Sequence, residues 1–108
     1  MNRRETVEVE DSLGIKYDFD VYEINEDIYC ESGIYILVQE VANGYESLYV
    51  GKSIHVKDRV PYHEKLDEMK EDECTHVLVR RFCKNELRDI EQSFIESLSP
   101  KYNNQHNS

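Results

Sequence analysis

Gly33-Ile34-Tyr35-Ile36-Leu37-Val38-Gln39-Glu40-Val41 and, past a connection through Asn43-Gly44, Ser47-Leu48-Tyr49-Val50-Gly51-Lys52-Ser53 read as two strands of one hairpin. The first run is apolar and β-branched with little alternation, the composition of a strand buried on both faces in the middle of a sheet. Asn43-Gly44 is a hairpin signal because both central residues of a type I′ turn need positive φ. Its flanks imply a loop somewhat longer than two residues, with 47–50 as the return strand. Gly51 falls where the chain must turn sharply or let another group approach its backbone.

Working outward, the next segment predicts a helix starting at 56–58 and running to about residue 70, with Val56, Val60, Leu66 and Met69 as its apolar stripe. Pro61 is tolerated there only near the first turn, where backbone donors lack intrahelical partners. Arg59 and His63 are four residues apart and so share a helix face beside the stripe. Residues 75–82 (Thr-His-Val-Leu-Val-Arg-Arg-Phe) predict a third strand. Asn85 is the expected N-cap of a helix over 86–98, whose core stripe is Leu87, Ile90, Phe94, Ile95 and Leu98. Glu91 falls inside that stripe, and a carboxylate in an apolar position is costly unless something binds it. Pro100 ends the helix, and Lys101-Tyr102-Asn103 is expected to pack back before a polar tail over 104–108.

Toward the N-terminus, residues 6–24 alternate with a period of two on both sides of Ser12-Leu13-Gly14. Val7, Val9, Ile15, Tyr17, Phe19 and Val21 form one face, and Glu8, Glu10, Asp18 and Asp20 the other. This predicts a β-hairpin covering part of the core or an edge strand; a dimer contact or an acidic flap competing with nucleic acid are the other readings. The expected class is therefore α+β: a small central antiparallel three-stranded sheet flanked by helices, with an added N-terminal β-hairpin. Residues 1–32 form the acidic extension, 33–103 the domain proper and 104–108 the tail.

At 108 residues the chain has room for one core. No apolar run approaches the roughly 18 residues that span a bilayer, and Met1-Asn2-Arg3-Arg4-Glu5 lacks the apolar centre of a secretory signal, so a cytoplasmic location is expected. Cys30, Cys74 and Cys83 are odd in number and match no metal-ligand spacing, which fits reduced thiols. The net charge of −10 runs against phosphate binding, but it is unevenly spread. Residues 1–32 hold three Lys/Arg against ten Asp/Glu, a net −7, and the remainder holds ten against thirteen, a net −3.

Each feature has an ordinary explanation. Paired tyrosines on adjacent strands pack across the sheet, an Arg and His near a helix start form a solvated face, a Glu in an apolar stripe pairs with an arginine, and a turn lysine is exposed. Taken together, however, the residues resemble the GIY-YIG nuclease family. Its two tripeptides stand here as Gly33-Ile34-Tyr35 and Tyr49-Val50-Gly51, the second with a conservative Val. Lys52, Arg59 and His63 follow Tyr49 by three, ten and fourteen residues, and Asn103 follows Glu91 by twelve in Pro100-Lys101-Tyr102-Asn103. The resemblance covers residues 33–103; Pro61 and the acidic charge depart from the pattern.

The resemblance implies a nuclease with Tyr35, Tyr49, Lys52, Arg59, His63, Glu91 and Asn103 as its site. Glu91 would hold one Mg²⁺ or Mn²⁺, Arg59 would donate to phosphoryl oxygens, and Tyr49 would activate the attacking water. A phenol of pKa ~10 needs a neighbouring cation or a proton relay for that work, which Lys52 and His63 would supply; whether Tyr49 or His63 takes the proton first stays open. Tyr35 would position water or phosphate, and Asn103 would orient the wall. Lys52, Lys57, Arg59, Arg80, Arg81, Lys84 and Lys101 are the candidate phosphate contacts. DNA is the expected substrate, cut with low intrinsic specificity or under direction of a protein partner. RNA cleavage, or a catalytically weak binding module of the same fold, are the alternatives. No membrane association is expected, and the chain would act as a monomer or homodimer.

Overall fold

The computed structural model describes residues 4–28, 30–60 and 74–103. The chain runs β1 (Thr6–Glu10), β2 (Lys16–Glu23), β3 (Gly33–Val41), β4 (Gly44–Ser53), α1 (Val56–Arg59), β5 (His76–Arg81), a 3-10 turn (Lys84–Glu86) and α2 (Leu87–Leu98). All five strands join one sheet in the order β1-β2-β5-β3-β4, and every neighbouring pair is antiparallel. The α+β class is as expected, but the sheet is larger than the expected three strands. Of the two structural roles expected for the N-terminal hairpin, it covers an edge strand. β2 pairs with β5 from Asp20–Val79 to Glu23–His76, so the hairpin extends the sheet. The reason is that β5, buried along Val77, Leu78 and Val79, would otherwise leave an apolar strand with an unpaired edge.

β3 is the central strand its composition predicts: Ile34, Tyr35, Ile36, Leu37 and Val38 are all buried, between β4 and β5. Its alternation divides the core in two. Tyr35 and Leu37 join Tyr22, Leu48, Val56, Val60, Val77, Val79 and Tyr102 on one face, covered by α1 and the C-terminal turn. Ile34, Ile36 and Val38 join Phe19, Val21, Val50, Leu78, Leu87 and Phe94 on the other, beneath α2. Complete burial of each such aliphatic or aromatic side chain contributes about 1.5–3 kcal/mol.

The β3–β4 connection is tighter than expected. Val41 pairs directly with Gly44, so Ala42 and Asn43 alone form the loop. Only Gly44 has positive φ there, at 146°, so the turn is not the type I′ that Asn43-Gly44 suggested. A register shift at Leu37/Val38 leaves Leu48 as an extra residue in β4. Leu48 and Tyr49 consequently both pack against the α1 side.

Local chemistry fixes the remaining joints. Asp11, only 3% exposed, accepts hydrogen bonds from the Leu13 and Ile15 amides at 2.9 Å each, and Gly14 at φ 81° completes the turn. Ile15 lies in that turn, 46% exposed, and does not belong to the apolar face assigned to it. The turn is latched to α2 by Ser12, whose hydroxyl lies 2.8 Å from that of Ser93. Asn85 is not an N-cap. It sits within the 3-10 turn, and the Glu86 carboxylate takes the Cys83 amide instead, at 3.3 Å. α2 ends at Ser99 in the left-handed region, just before Pro100. Continuation of α1 beyond Val60, with Leu66, Met69 and the six acids over 64–73, lies outside the described residues. Among the described residues no helix is long and apolar enough to cross a membrane.

Gly33 shows what the sheet requires of its centre. A β-carbon there would collide with the Arg80 carbonyl oxygen and lie 3.1 Å from the Cys30 sulfur. A backbone oxygen in a ladder cannot swing aside, so Gly33→Ala is expected to destabilise the fold by about 2–3 kcal/mol, at the upper end of core overpacking. Urea unfolding of the two proteins checks it.

Candidate active site

The two tripeptides are placed side by side by the β3–β4 ladder. Tyr35 is paired with Gly51, and Tyr49 with Leu37. Tyr35 and Tyr49 are therefore diagonal neighbours on the α1 face, their ring centroids 6.3 Å apart and their planes inclined by 33°. Gly51 has a steric reason. A β-carbon there would overlap the Tyr35 ring and hydroxyl, so the ring lies across the bare backbone of β4. Tyr35 is 1% exposed, whereas Tyr49 keeps part of its surface in solvent.

α1 follows β4 after Ser53-Ile54-His55 and is docked through its backbone. The Val56 amide donates to the Glu31 carbonyl at 2.7 Å and the Lys57 amide to the Cys30 carbonyl at 3.1 Å. Val56 and Val60 bury themselves in the tyrosine-side cluster, which puts Arg59, half-buried, on the helix covering that face. His63 lies outside the described residues.

Lys52 and Glu91 meet elsewhere. Lys52 pairs across the ladder with Ile34, whose side chain lies on the α2 face, and its ammonium reaches Glu91 Oε1 at 3.2 Å. Glu91 is 18% exposed and Lys52 45%. The carboxylate that breaks the apolar stripe thus has a counter-charge beside it, though from Lys52 and not from the arginine expected for such a residue. The tyrosine pair and the Lys52–Glu91 pair occupy opposite faces of the tip of β4, with the side-chain-free Gly51 between them. Among the described residues no group of three His, Cys, Asp or Glu converges as a metal site.

Asn103 acts on the backbone. Its side-chain oxygen accepts from the Val50 amide at 2.7 Å, and its amide nitrogen donates to the Val50 carbonyl at 2.9 Å. The neighbouring Tyr102 amide donates to the Leu48 carbonyl at 2.8 Å. Residues 102 and 103 therefore close the free edge of β4 beside Tyr49, like a short extra strand.

The candidate phosphate contacts divide by environment. Arg80 is committed to the interior: its guanidinium lies 5.3 Å from the Tyr17 ring centroid and 5.2 Å from that of Phe82, and it donates to the Asp18 carbonyl at 3.4 Å. Its Nε is buried with no hydrogen-bond partner among the described residues. Lys101 lies 5.5 Å from the Tyr102 ring centroid, and Lys84 is exposed at the start of the 3-10 turn. Lys57 and Arg81 line a cavity of about 350 Å³ with Cys30 and Glu31. Burial pushes the Cys30 thiol up, against the pull of Arg81. Sequence reasoning missed Asp11 and the Leu48 bulge. Asp11-x-Leu13-Gly14 carried a turn signal for the first, and nothing local signalled the second.

Asn103→Ala removes both bonds to a buried strand residue and should cost about 1–3 kcal/mol, because the Val50 amide loses its partner. Hydrogen exchange should speed up at Val50 first; an unchanged Val50 rate would show that the clamp does not hold β4. No protein-family model, curated protein or solved structure matches the chain.

Proposed function

We propose that the chain is a metal-dependent endonuclease of the GIY-YIG kind, hydrolysing phosphodiester bonds in DNA, with β5, β3 and β4 as the three-stranded nuclease core. The observation that carries this reading is the packing of Tyr35 across Gly51 with Tyr49 alongside, because it gives both tripeptides one shared physical purpose. The helix bearing Arg59 lies over the same face.

In this reading Tyr49, the more accessible ring, passes its phenolic proton to His63 as it takes one from the attacking water, and buried Tyr35 helps position that water. Arg59 donates to the phosphoryl oxygens as charge develops on them. Asn103 keeps Val50, and with it Tyr49, in register. His63 retains its role as proton relay. Lys52 and Glu91 face the other side of the β4 tip, so the scissile backbone would have to pass around the strand end beyond Gly51, whose backbone the Tyr35 ring covers.

Glu91 would hold the Mg²⁺ or Mn²⁺. A shielded carboxylate with one oxygen 3.2 Å from a half-exposed, flexible lysine fits a hard cation that takes its other ligands from water and phosphate. Such a cation, when bound, relieves charge at phosphorus and on the leaving oxygen. Lys52 would then move from Glu91 toward the substrate phosphate.

The second reading, a catalytically weak binding module, draws on a specific observation: Lys52 stands 3.2 Å from Glu91 and gives it a counter-charge from within the chain. RNA cleavage would use the same residues as DNA cleavage. The test is to incubate the protein with supercoiled, linear and branched DNA and with RNA, with and without Mg²⁺ or Mn²⁺. Metal-dependent cleavage is expected, with Glu91→Ala folded but at least about a hundredfold slower, the scale of losing one electrostatic contributor. Undiminished cleavage by Glu91→Ala would sink the mechanism. Absence of cleavage by the unaltered chain on every substrate would favour the binding module.

A further inference from the structure

β1 and β4 are the two edges of the sheet. Because neighbouring strands alternate in direction, the first and fifth in the order run the same way. They cannot continue the antiparallel ladder with each other, but one further strand between them, antiparallel to both, would close it.

The sheet curls far enough to bring these edges near one another on the α2 side. The Tyr45 hydroxyl of β4 donates to Glu5 Oε1, next to β1, at 3.3 Å. At the other end of β1 the Ser97 hydroxyl donates to the Glu10 carbonyl at 2.7 Å. A tyrosine and a glutamate side chain end to end are needed to bridge the edges, so the backbones stand farther apart than the ~4.8 Å of paired strands. Behind the gap lies a cavity of about 390 Å³, walled by Val7, Val9, Ile36, Val38, Leu78 and Leu98.

The hydrogen-bonding groups on the β1 side are set by parity. The Val21 amide donates to the Glu5 carbonyl, so residues 5, 7 and 9 bond to β2, while Thr6, Glu8 and Glu10 turn their backbone groups outward. Ser97 takes the Glu10 carbonyl; those of Thr6 and Glu8 have no partner among the described residues. The side chains flanking the opening on the convex side are acidic. Glu8 sits opposite Asp18, and Glu46 lies on β4, while Lys16 offers Glu8 only a 3.9 Å contact between exposed groups.

We propose that this gap accepts an extended segment of a partner protein as a sixth strand. Alternate apolar side chains of the segment would enter the cavity, and the intervening ones would be Lys or Arg, facing Glu8, Asp18 and Glu46. Strand addition of this kind takes its affinity from backbone bonds and its specificity from alternate side chains. A second copy of β1 is a poor occupant, since antiparallel pairing would set Glu8 and Glu10 against their own kind. The inference does not depend on the nuclease reading.

The test uses the full chain and two synthetic peptides of identical composition, one alternating lysine and valine, the other with its lysines and valines in separate blocks. The alternating peptide should protect the Thr6 and Glu8 amides from exchange and shift the Val38 and Leu98 methyl resonances. The blocked peptide should bind at least about tenfold more weakly, which corresponds to 1.4 kcal/mol. Glu8→Pro removes an outward amide without touching the β2 ladder and should abolish the binding. Equal binding of the two peptides would mean charge attraction alone and overturns the proposal. So would undiminished binding by folded Glu8→Pro, or protection of the same amides by self-association without peptide. Should Glu8→Pro not fold, the double variant Glu8→Lys, Glu10→Lys should switch preference to an alternating glutamate–valine peptide; no switch overturns it equally.

Discussion

The Tyr35 ring lies where a β-carbon on residue 51 would have to be, and much of the structure follows from that close approach. It ties the middle strand to the edge strand β4 through a side chain as well as a ladder. On the other flank of β3, Gly33 does the same for β5, letting the Arg80 carbonyl come within contact of its α-carbon. With both neighbours drawn in, β3 is sealed from Ile34 to Val38, and each face of the sheet acquires its own core. The glycines of the two tripeptides are therefore packing residues first. The tyrosines they accommodate gain a fixed relation to each other that flexible side chains on a looser sheet would lack.

Polar groups are organised around the same strand pair at lower cost than a buried charge usually carries. Glu91 interrupts an apolar stripe, yet Lys52, anchored one residue beyond Gly51, brings a counter-charge to it. Because the lysine is half in water, the pair contributes little net stability and can separate easily. Asn103 reaches back over fifty residues to satisfy both backbone groups of Val50, which as an edge residue would otherwise face solvent or another chain. β4 is thus closed beside Tyr49 by the chain's own turn at residues 102 and 103. Among the described residues nothing comparable closes its Gly44 end, which faces β1 across the apolar cavity.

Charge is segregated by the same topology. The acidic hairpin residues Glu8, Asp18 and Asp20 share the convex face with Tyr35, through the row Thr6–Asp20–Val79–Tyr35–Gly51 that runs across the sheet. Carboxylates line the hairpin side of this face, whereas the α1 side mixes Lys57, Arg59 and Arg81 with Asp58 and with Glu31, which lies 3.6 Å from Lys57. The net charge of −10 is thus unevenly spread in space as well as in sequence, with residues 1–32 carrying −7 of it.

Periodicity alone determined the strands, the α2 stripe and the misfit of Glu91 within it, because burial imposes a period of two or of 3.6 on any sequence that forms one core. Which residues were expected to share a site came instead from the resemblance of Tyr35, Tyr49, Lys52, Arg59, His63, Glu91 and Asn103 to a known family's pattern. What periodicity could not show is who neighbours whom. That β2 pairs with β5 and enlarges the sheet depends on two apolar edges, far apart in sequence, being cheaper to join than to expose. That Leu48 bulges and brings Tyr49 to the side of Tyr35 depends on register, which carries no local signature. That Lys52 and Glu91 fall on the face opposite the tyrosines follows from strand parity after that bulge, and Arg80, basic in sequence, is turned toward Tyr17 and Phe82 by its own register in β5, opposite Ile34. Only the folded chain sets these relations, since each is a contact between segments whose own preferences are silent about the other.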